Sequence, residues 1–580
     1  LVKGAGIDPA RHHRCVGIGV GPANLSLAAL MHRHAEITNL FVDKKERFGW
    51  HDGQQIPHTT IQVSMLKDLV SLAQPASEYS FLSYLHESGR LYHYINAQFD
   101  AVPRQEFRNY MEWASRKNEN IVFGQEVLSV EYSDVFHVHL PSATVTADNI
   151  VIGVGVQPRV PSQAFPYLGD RQFHVNDFLS QARNLGGLRV GVVGGGQSGA
   201  EAFLDLISRN GADTPRQVVW ISRRPNYFPL DDSPFTNDYY LPSYSDYFAS
   251  LDAVTRKAFN ARNMLTSDGI SESTLRCIYQ QIYTQRFING NAGLVTLYPN
   301  RQVTQVAPVT SGAWHLTLAN NDHPDAAEST ELDVVIWATG FVPAPMDFLE
   351  PIKARLEREG DEFKIDNSFA IQWDGPEDRN IFVQNAARGQ RGLADLNLSL
   401  NAWRSQRILD RLRGVSSEHH LNSFIEWAAR PADDEIVESL WGRQSRRSPS
   451  WGPGSSAAWP PAKSPPAAPA RRSRCSTGTR SGPAPADGRP GCTCCAAPVR
   501  GPGACPAIAT ATTRTWPASI RGCRSTRSVP PSWLTPGCSD TTCRRQHRNG
   551  QPDSPPRPYR FRLAWAYGTS LAATTATCTG

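Results

Sequence analysis

The stretch Arg14-Cys15-Val16-Gly17-Ile18-Gly19-Val20-Gly21-Pro22-Ala23-Asn24 decides the fold. Its apolar first half reads as a buried strand, its glycines as a tight turn, and the apolar spacing of residues 25–34 as a helix. Residues 37–43 read as the next strand, ending on the acidic Asp43. A β-turn-α-β unit of this kind points backbone N–H groups of a helix start at an anion, and glycines let the anion come close. Gly19, Gly21 and Asn24 stand at the three glycine positions of G-x-G-x-x-G, so the third glycine is replaced. Asp43 stands where a carboxylate holds a ribose hydroxyl pair.

A second unit repeats the plan. Residues 188–193 read as a strand, Gly194-Gly195-Gly196-Gln197-Ser198-Gly199 as the turn, 200–210 as the helix and 217–222 as the next strand. Here Gly194, Gly196 and Gly199 complete the pattern, and the strand ends in Ser222-Arg223-Arg224 instead of an acid. A guanidinium at that place clamps a 2′-phosphate that a carboxylate would repel, so this turn reads as an NADPH site. The plainer reading of Arg223 and Arg224 is a solvated charge pair. Two such turns in one chain suggest FAD bound near the N-terminus and NADPH bound by an inserted domain. Ala338-Thr339-Gly340, after the apolar run 333–337, marks the return crossing. The expected architecture is α/β, with two Rossmann-like domains of the two-dinucleotide flavoprotein type. The FAD domain spans 1–180, the NADPH domain 181–330 with a mainly helical substrate region at about 225–290, and the FAD return with a C-terminal helix 331–441.

Charge and cysteine divide the chain at about the same place. Residues 443–580 carry 20 Lys+Arg against 3 Asp+Glu, leaving 39 against 51 before them. Nine of the 11 cysteines also lie in the tail; only Cys15 and Cys277 precede it. Two scattered thiols form no disulfide framework and fit a reducing, cytoplasmic setting. No N-terminal charged-then-apolar leader and no apolar run of membrane-spanning length is read, so no membrane span is expected. Leu1 at the start points to residues missing ahead of it or to an alternative start codon. From Gly442 onward Pro, Ser, Arg, Ala, Gly and Thr dominate and no apolar periodicity survives. The tail reads either as disordered or as out-of-frame translation of a GC-rich gene. The abrupt change favours the latter, and a single-base indel near codon 442 would establish it. Its basic charge comes without stacking aromatics or a binding motif, so no nucleic-acid partner is expected. Cys492, Cys494 and Cys495 lack zinc-ligand spacing, so no metal is expected.

Six ordered motifs then converge. Gly19–Leu25, Gln62–Leu69, Gly194–Glu201, Asp231–Asn237, Ala338–Phe341 and Asn397–Ser405 resemble the N-hydroxylating monooxygenases of siderophore biosynthesis, which act on L-lysine, L-ornithine or diamines. The resemblance runs from about residue 14 to 441. Asn at the third glycine position is that family's habit. The resemblance implies that NADPH reduces FAD, O2 adds to give a C4a-hydroperoxyflavin, and the terminal amine attacks its distal oxygen. It implies amine contacts at Lys67, Asn237 and Ser267. It implies FAD contacts at Gly19, Gly21, Pro22, Asn24, Asp43, Trp50, His51, Gln62, Thr339, Gly340 and Leu398. NADPH contacts are implied at Gly194, Gly196, Gln197, Ser198, Gly199 and Arg223. No catalytic side chain is assigned, because the flavin carries the chemistry. His51 and Asp52 read as flavin-edge or structural rather than as an acid–base pair. The amine must be neutral to attack, so no carboxylate is expected beside the reacting nitrogen. Thr266-Ser267-Asp268-Gly269-Ile270-Ser271 resembles the lysine and diamine branch, with ornithine third. The family's assembly implies a homo-tetramer. The competing readings are another two-dinucleotide flavoprotein, or an inactive product. A disulfide reductase would need a redox Cys pair, which residues 1–442 lack.

Overall fold

The computed structural model describes residues 7–417 and 423–428. The basic tail from 442, with both readings of it, lies outside them. The first sheet has β1 (His12–Ile18), β2 (Asn39–Asp43), β3 (Ile121–Phe123), β4 (Ser129–Tyr132), β5 (Phe136–His139) and β6 (Thr144–Ile152). They stand in the order β3-β2-β1-β6-β5-β4, and the short strand Ile381–Val383 pairs parallel with β6. β1 is parallel to both neighbours, and its carboxyl end delivers the first glycine turn to the sheet edge.

Helix α1 (Pro22–Met31) follows that turn, with Pro22 in its first turn, where a missing N–H costs nothing. Every residue from Ala23 to Met31 is buried, so the helix is enclosed all round, with Asn24 and Ser26 as its buried polar residues. It lies within one apolar core with the helix Asn401–Arg413, and Leu25, Leu27 and Leu30 are fully buried. Each such leucine contributes about 1.5–3 kcal/mol.

The second sheet is all parallel. Its strands β7 (Gln172–His174), β8 (Arg189–Val193), β9 (Gln217–Ile221), β10 (Val295–Tyr298) and β11 (Val334–Trp337) stand in the order β10-β9-β8-β11-β7. Helix Gln197–Ser208 packs on it through Ala200, Phe203, Leu206 and Ile207. Between β9 and β10 the chain is mainly helical, with helices Pro242–Ser250, Ala253–Arg262, Leu265–Asp268 and Glu272–Tyr283, as the aromatic-rich composition of 225–290 suggested.

The sheets divide at other places than expected. β7 falls inside the expected FAD segment 1–180, and β11 inside the expected FAD return 331–441, yet both belong to the second sheet. The crossing is instead a pair of antiparallel strands, Val156–Pro158 against Phe341–Pro343. Both boundary segments are short and Gly/Pro-rich, so apolar periodicity could not place them.

Candidate active site

The first turn rests on close backbone approach. Gly19 has φ +87°, and a Cβ there would lie 2.7 Å from the carbonyl oxygen of Gly153. Gly21 caps α1, and a Cβ there would meet only that oxygen, at 3.9 Å, so its outer side is open. The turn leads into a cavity of about 1120 Å³ whose wall includes Gly19, Gly21, Pro22, Asp43, Trp50, His51 and Leu398. With no Cβ on either glycine, the first N–H groups of α1 can be approached by a pyrophosphate, so the donor set fits FAD.

Asn24 lies behind this wall, fully buried. Its Nδ2 donates to the carbonyls of Gly19 (2.8 Å), Ile18 (3.1 Å) and Val151 (3.2 Å), and its Oδ1 accepts from Gln384 Nε2 at 2.8 Å. A Cβ on Gly153 would sit 2.6 Å from the Asn24 carboxamide. The room that a third glycine normally leaves on the helix is left here on the strand side. Gln384 in turn accepts from Arg404 Nε at 3.2 Å, and Arg404 pairs with the buried Asp395 at 3.0 Å. Arg404 also donates to Asn385 Oδ1 and Asn401 Oδ1, both residues of the cavity wall. The sequence reading did not assign Gly153, Gln384, Asn385, Asn401 or Arg404. Arg404 and Asn401 lie in a quoted motif, whereas Gln384 carries no local signal.

Asp43 is bound to its own loop. One carboxylate oxygen accepts from Val20 N at 2.7 Å and the other from Lys45 N at 2.9 Å. His51 adopts φ +50°, a left-handed conformation that non-glycine residues hold at a cost of about 1–3 kcal/mol. Its ring stands edge-on to Trp50 at 4.8 Å. Burial first, then the Arg104 guanidinium, lowers its pKa to about 4. Asp52 pairs with Arg108 at 3.0 Å, in keeping with a structural role. Thr339 and Gly340 stand off the cavity wall: the Thr339 hydroxyl donates to Arg159 O, and Gly340 O accepts from Arg159 N at 2.9 Å.

The second turn is tighter. Gly194 has φ +143°, and a Cβ there would lie 2.0 Å from Ala338 O; a Cβ on Gly199 would lie 2.4 Å from Gly194 O. Gly196 caps the following helix, and a Cβ there would meet only Asp268 O, at 3.8 Å, so this cradle also fits a pyrophosphate. The two arginines part company. Arg224 Nη1 donates to Gly195 O (3.0 Å) and Asp268 O (2.9 Å), bracing the turn. Arg223 is exposed, and its guanidinium has no partner among the described residues.

The turn is docked on the flavin side. Arg104 donates twice to Glu201, at 2.6 and 2.8 Å, Ser198 Oγ donates to Gln54 Oε1 at 3.0 Å, and Gln62 Nε2 donates to Gln197 Oε1 at 3.1 Å. Gln62 is therefore brought to the second turn, although it does not line the cavity.

Asn237 and Ser267 lie on neighbouring segments. Asn237 Nδ2 donates to Asp232 O at 2.8 Å, and Tyr240 of the same turn donates to Thr266 O at 2.6 Å. Asp268, the carboxylate beside Ser267, accepts from the Ser267 hydroxyl at 2.7 Å and lies 3.8 Å from Arg388. Lys67 is half-buried, which lowers its pKa. Its ammonium has no hydrogen bond or ion pair among the described residues, including none to Asn237 or Ser267. No metal-ligating cluster and no helix long and apolar enough to cross a membrane occur among the described residues.

Residues 11–343 match the family described as L-lysine 6-monooxygenase/L-ornithine 5-monooxygenase. The chain is 35% identical over 406 residues to the L-lysine N6-monooxygenase of Escherichia coli, covering 69% of this chain and 94% of that protein. Among solved structures, the FAD-bound cadaverine monooxygenase DfoA of Erwinia amylovora superposes with a TM-score of 0.68 at 27% identity, covering 73% of this chain and all of that one. The ornithine N-hydroxylase of Kutzneria sp. 744, solved with reduced FAD, NADP+ and L-ornithine, has a TM-score of 0.64 at 29% identity, over 70% of this chain and 99% of that one. Two glycine-turn cradles and these likenesses agree. The chain belongs to the L-lysine 6-monooxygenase/L-ornithine 5-monooxygenase family: it is a flavin-dependent N-hydroxylating monooxygenase of siderophore biosynthesis that uses FAD, NADPH and O2.

Proposed function

We propose that this enzyme hydroxylates the terminal primary amine of L-lysine or of a diamine such as putrescine or cadaverine, ahead of L-ornithine. The observation that carries the amine-hydroxylase reading is Lys67, a half-buried cation with no partner among the described residues; the order of the amines rests on the likeness of Thr266–Ser271 to the lysine and diamine branch. A cation in that state has two uses. It pairs with a substrate carboxylate, and it raises the local positive potential, which favours the neutral form of a nearby amine. Asp268 does not oppose this, because Arg388 and Ser267 already engage it. Asn237 and Ser267 supply polar contacts to the substrate chain in this reading. Bound FAD, once reduced by NADPH, supplies the activation of O2. The protein's part is to hold Gly19, Gly21, Pro22, Trp50, His51 and Leu398 around the flavin. Gly196, Ser198 and Arg223 present NADPH to it, and water is kept from the reacting face. The likeness to the lysine and cadaverine enzymes supports the reading. A cytoplasmic homo-tetramer belongs to the same proposal and is checked by sedimentation and fractionation.

The test is NADPH oxidation and hydroxylamine formation measured with lysine, ornithine, putrescine and cadaverine. Absence of hydroxylated product from all of them, with FAD bound normally, overturns the proposal. In Lys67→Ala, KM for lysine is expected to rise at least about tenfold, the weight of one charge-assisted contact, and that for cadaverine less. Equal losses would assign Lys67 to the flavin and not to a carboxylate.

A further inference from the structure

Ten positions past the last residue of the helix Asn401–Arg413, the chain returns to the substrate region. Ser423 Oγ donates to Asp238 Oδ2 at 2.6 Å and accepts from Ile425 N at 3.0 Å. Four residues on, the Trp427 ring lies 4.7 Å from Tyr244 (edge-on, 70°), 5.6 Å from Tyr239 and 6.2 Å from Tyr247 (stacked, 25°). Tyr239 and Tyr244 also pack on Phe259, at 4.9 and 5.5 Å. One aromatic cluster thus joins the turn Thr236–Tyr240 and the helices Pro242–Ser250 and Ala253–Arg262 to residues 423–428. The indole N–H is buried without a partner among the described residues, so among them the ring faces and not a hydrogen bond make the attachment.

The turn held in this way carries Asn237, one residue before Asp238, and Tyr240, whose hydroxyl reaches Thr266 O beside Ser267. We propose that Ser423 and Trp427 are positioning residues for the amine. They fix the Thr236–Tyr240 turn, and through it Asn237, without touching substrate. The segment clasps the insertion from outside, so it sets amine binding and leaves both dinucleotide cradles untouched. This rests on the reading of Asn237 as a substrate residue. It also assigns a use to the last described residues, 423–428.

The test uses the full chain with FAD bound. In Trp427→Ala, amide hydrogen exchange at residues 236–240 is expected to speed up. Amine KM should rise about tenfold, the equivalent of one or two lost aromatic contacts. FAD affinity and the rate of flavin reduction by NADPH are expected to stay at wild-type values. Trp427→Phe should restore most of KM, since it keeps an aromatic face and gives up the indole N–H with its fused five-membered ring; Ser423→Ala should give a smaller rise. Unchanged exchange at 236–240 overturns the proposal. Faster exchange with unchanged amine KM also overturns it. In that case Asn237→Ala locates the fault: a raised KM there means the clasp does not act on Asn237, and an unchanged KM means Asn237 is not a substrate residue. Loss of FAD in Trp427→Ala, not repaired by Trp427→Phe, would make the segment merely structural and likewise sink it.

Discussion

In the flavin-side turn the Gly19 amide donates to Val42 O at 2.8 Å, and in the nicotinamide-side turn the Gly194 amide donates to Ile221 O at the same distance. The crossing strands match as well: Gly153 N donates to Ile18 O and Ala338 N to Val193 O, both at 2.8 Å. Against this common frame the turns differ where helix meets strand. The second puts glycine on the helix (Gly199) and alanine on the strand (Ala338); the first puts asparagine on the helix (Asn24) and glycine on the strand (Gly153). The quantity preserved is the closeness of approach, and either partner can be the small one. Asparagine adds what glycine cannot: an amide whose two N–H groups are shared among three carbonyls, and an oxygen that accepts one bond, which tie the turn to Gln384 and Arg404.

The largest effect is expected at Gly194. Alanine there must adopt φ +143° with its Cβ 2.0 Å from a backbone oxygen, so NADPH-driven flavin reduction should fall at least about a hundredfold, with FAD retained. Stopped-flow reduction measures it, and a wild-type rate would mean that the turn opens at no cost.

Next is Gly153→Ala, whose methyl group meets the Asn24 carboxamide. FAD affinity should drop, and Asn24→Gly in the same chain, which copies the Gly199/Ala338 arrangement, should recover part of it. A coupling of about 1–3 kcal/mol in the double-mutant cycle is expected; strict additivity would break the equivalence of the two turns.

Arg223→Ala comes third. Loss of a charge-assisted contact to a 2′-phosphate should raise KM for NADPH about 10–100-fold and leave KM for NADH nearly unchanged. Equal changes would move the 2′-phosphate elsewhere, whereas Arg224→Ala should impair both coenzymes, because it loosens the turn.

The smallest effect concerns acid. The wall of the cavity beside the first turn carries a titrating group, His51. The unfolded chain binds a proton at His51 near pH 6.5 and the folded chain only near 4. The stability that neutral His51 contributes is therefore full above about 6.5 and is lost as pH falls toward 4. Buried His13, also lowered to about 4, adds to the same slope, so His51→Asn should flatten the denaturation profile in that window only in part. An unchanged slope would remove His51 from the balance.

Both turns and the helices that follow them were legible because glycine spacing and apolar periodicity are local signals. The pairing of Asn24 with Gln384, 360 positions apart, was not, since nothing in a single sequence ties them. The strand order at the crossing was missed because Val156–Pro158 and Phe341–Pro343 are only three residues each, too short to show alternation. Arg223 and Arg224 looked equivalent as adjacent charges; only the carbonyls of Gly195 and Asp268 separate a brace from a free guanidinium.

The crossing pair has one more consequence. Ala344 N donates to Gly155 O at 3.0 Å, so the points where the chain leaves the first sheet and comes back to it are side by side. The nicotinamide unit is therefore spliced in like a cassette, through a doorway two strands wide. Joining Gly155 directly to Ala344 would delete 156–343 without asking any strand of the first sheet to move.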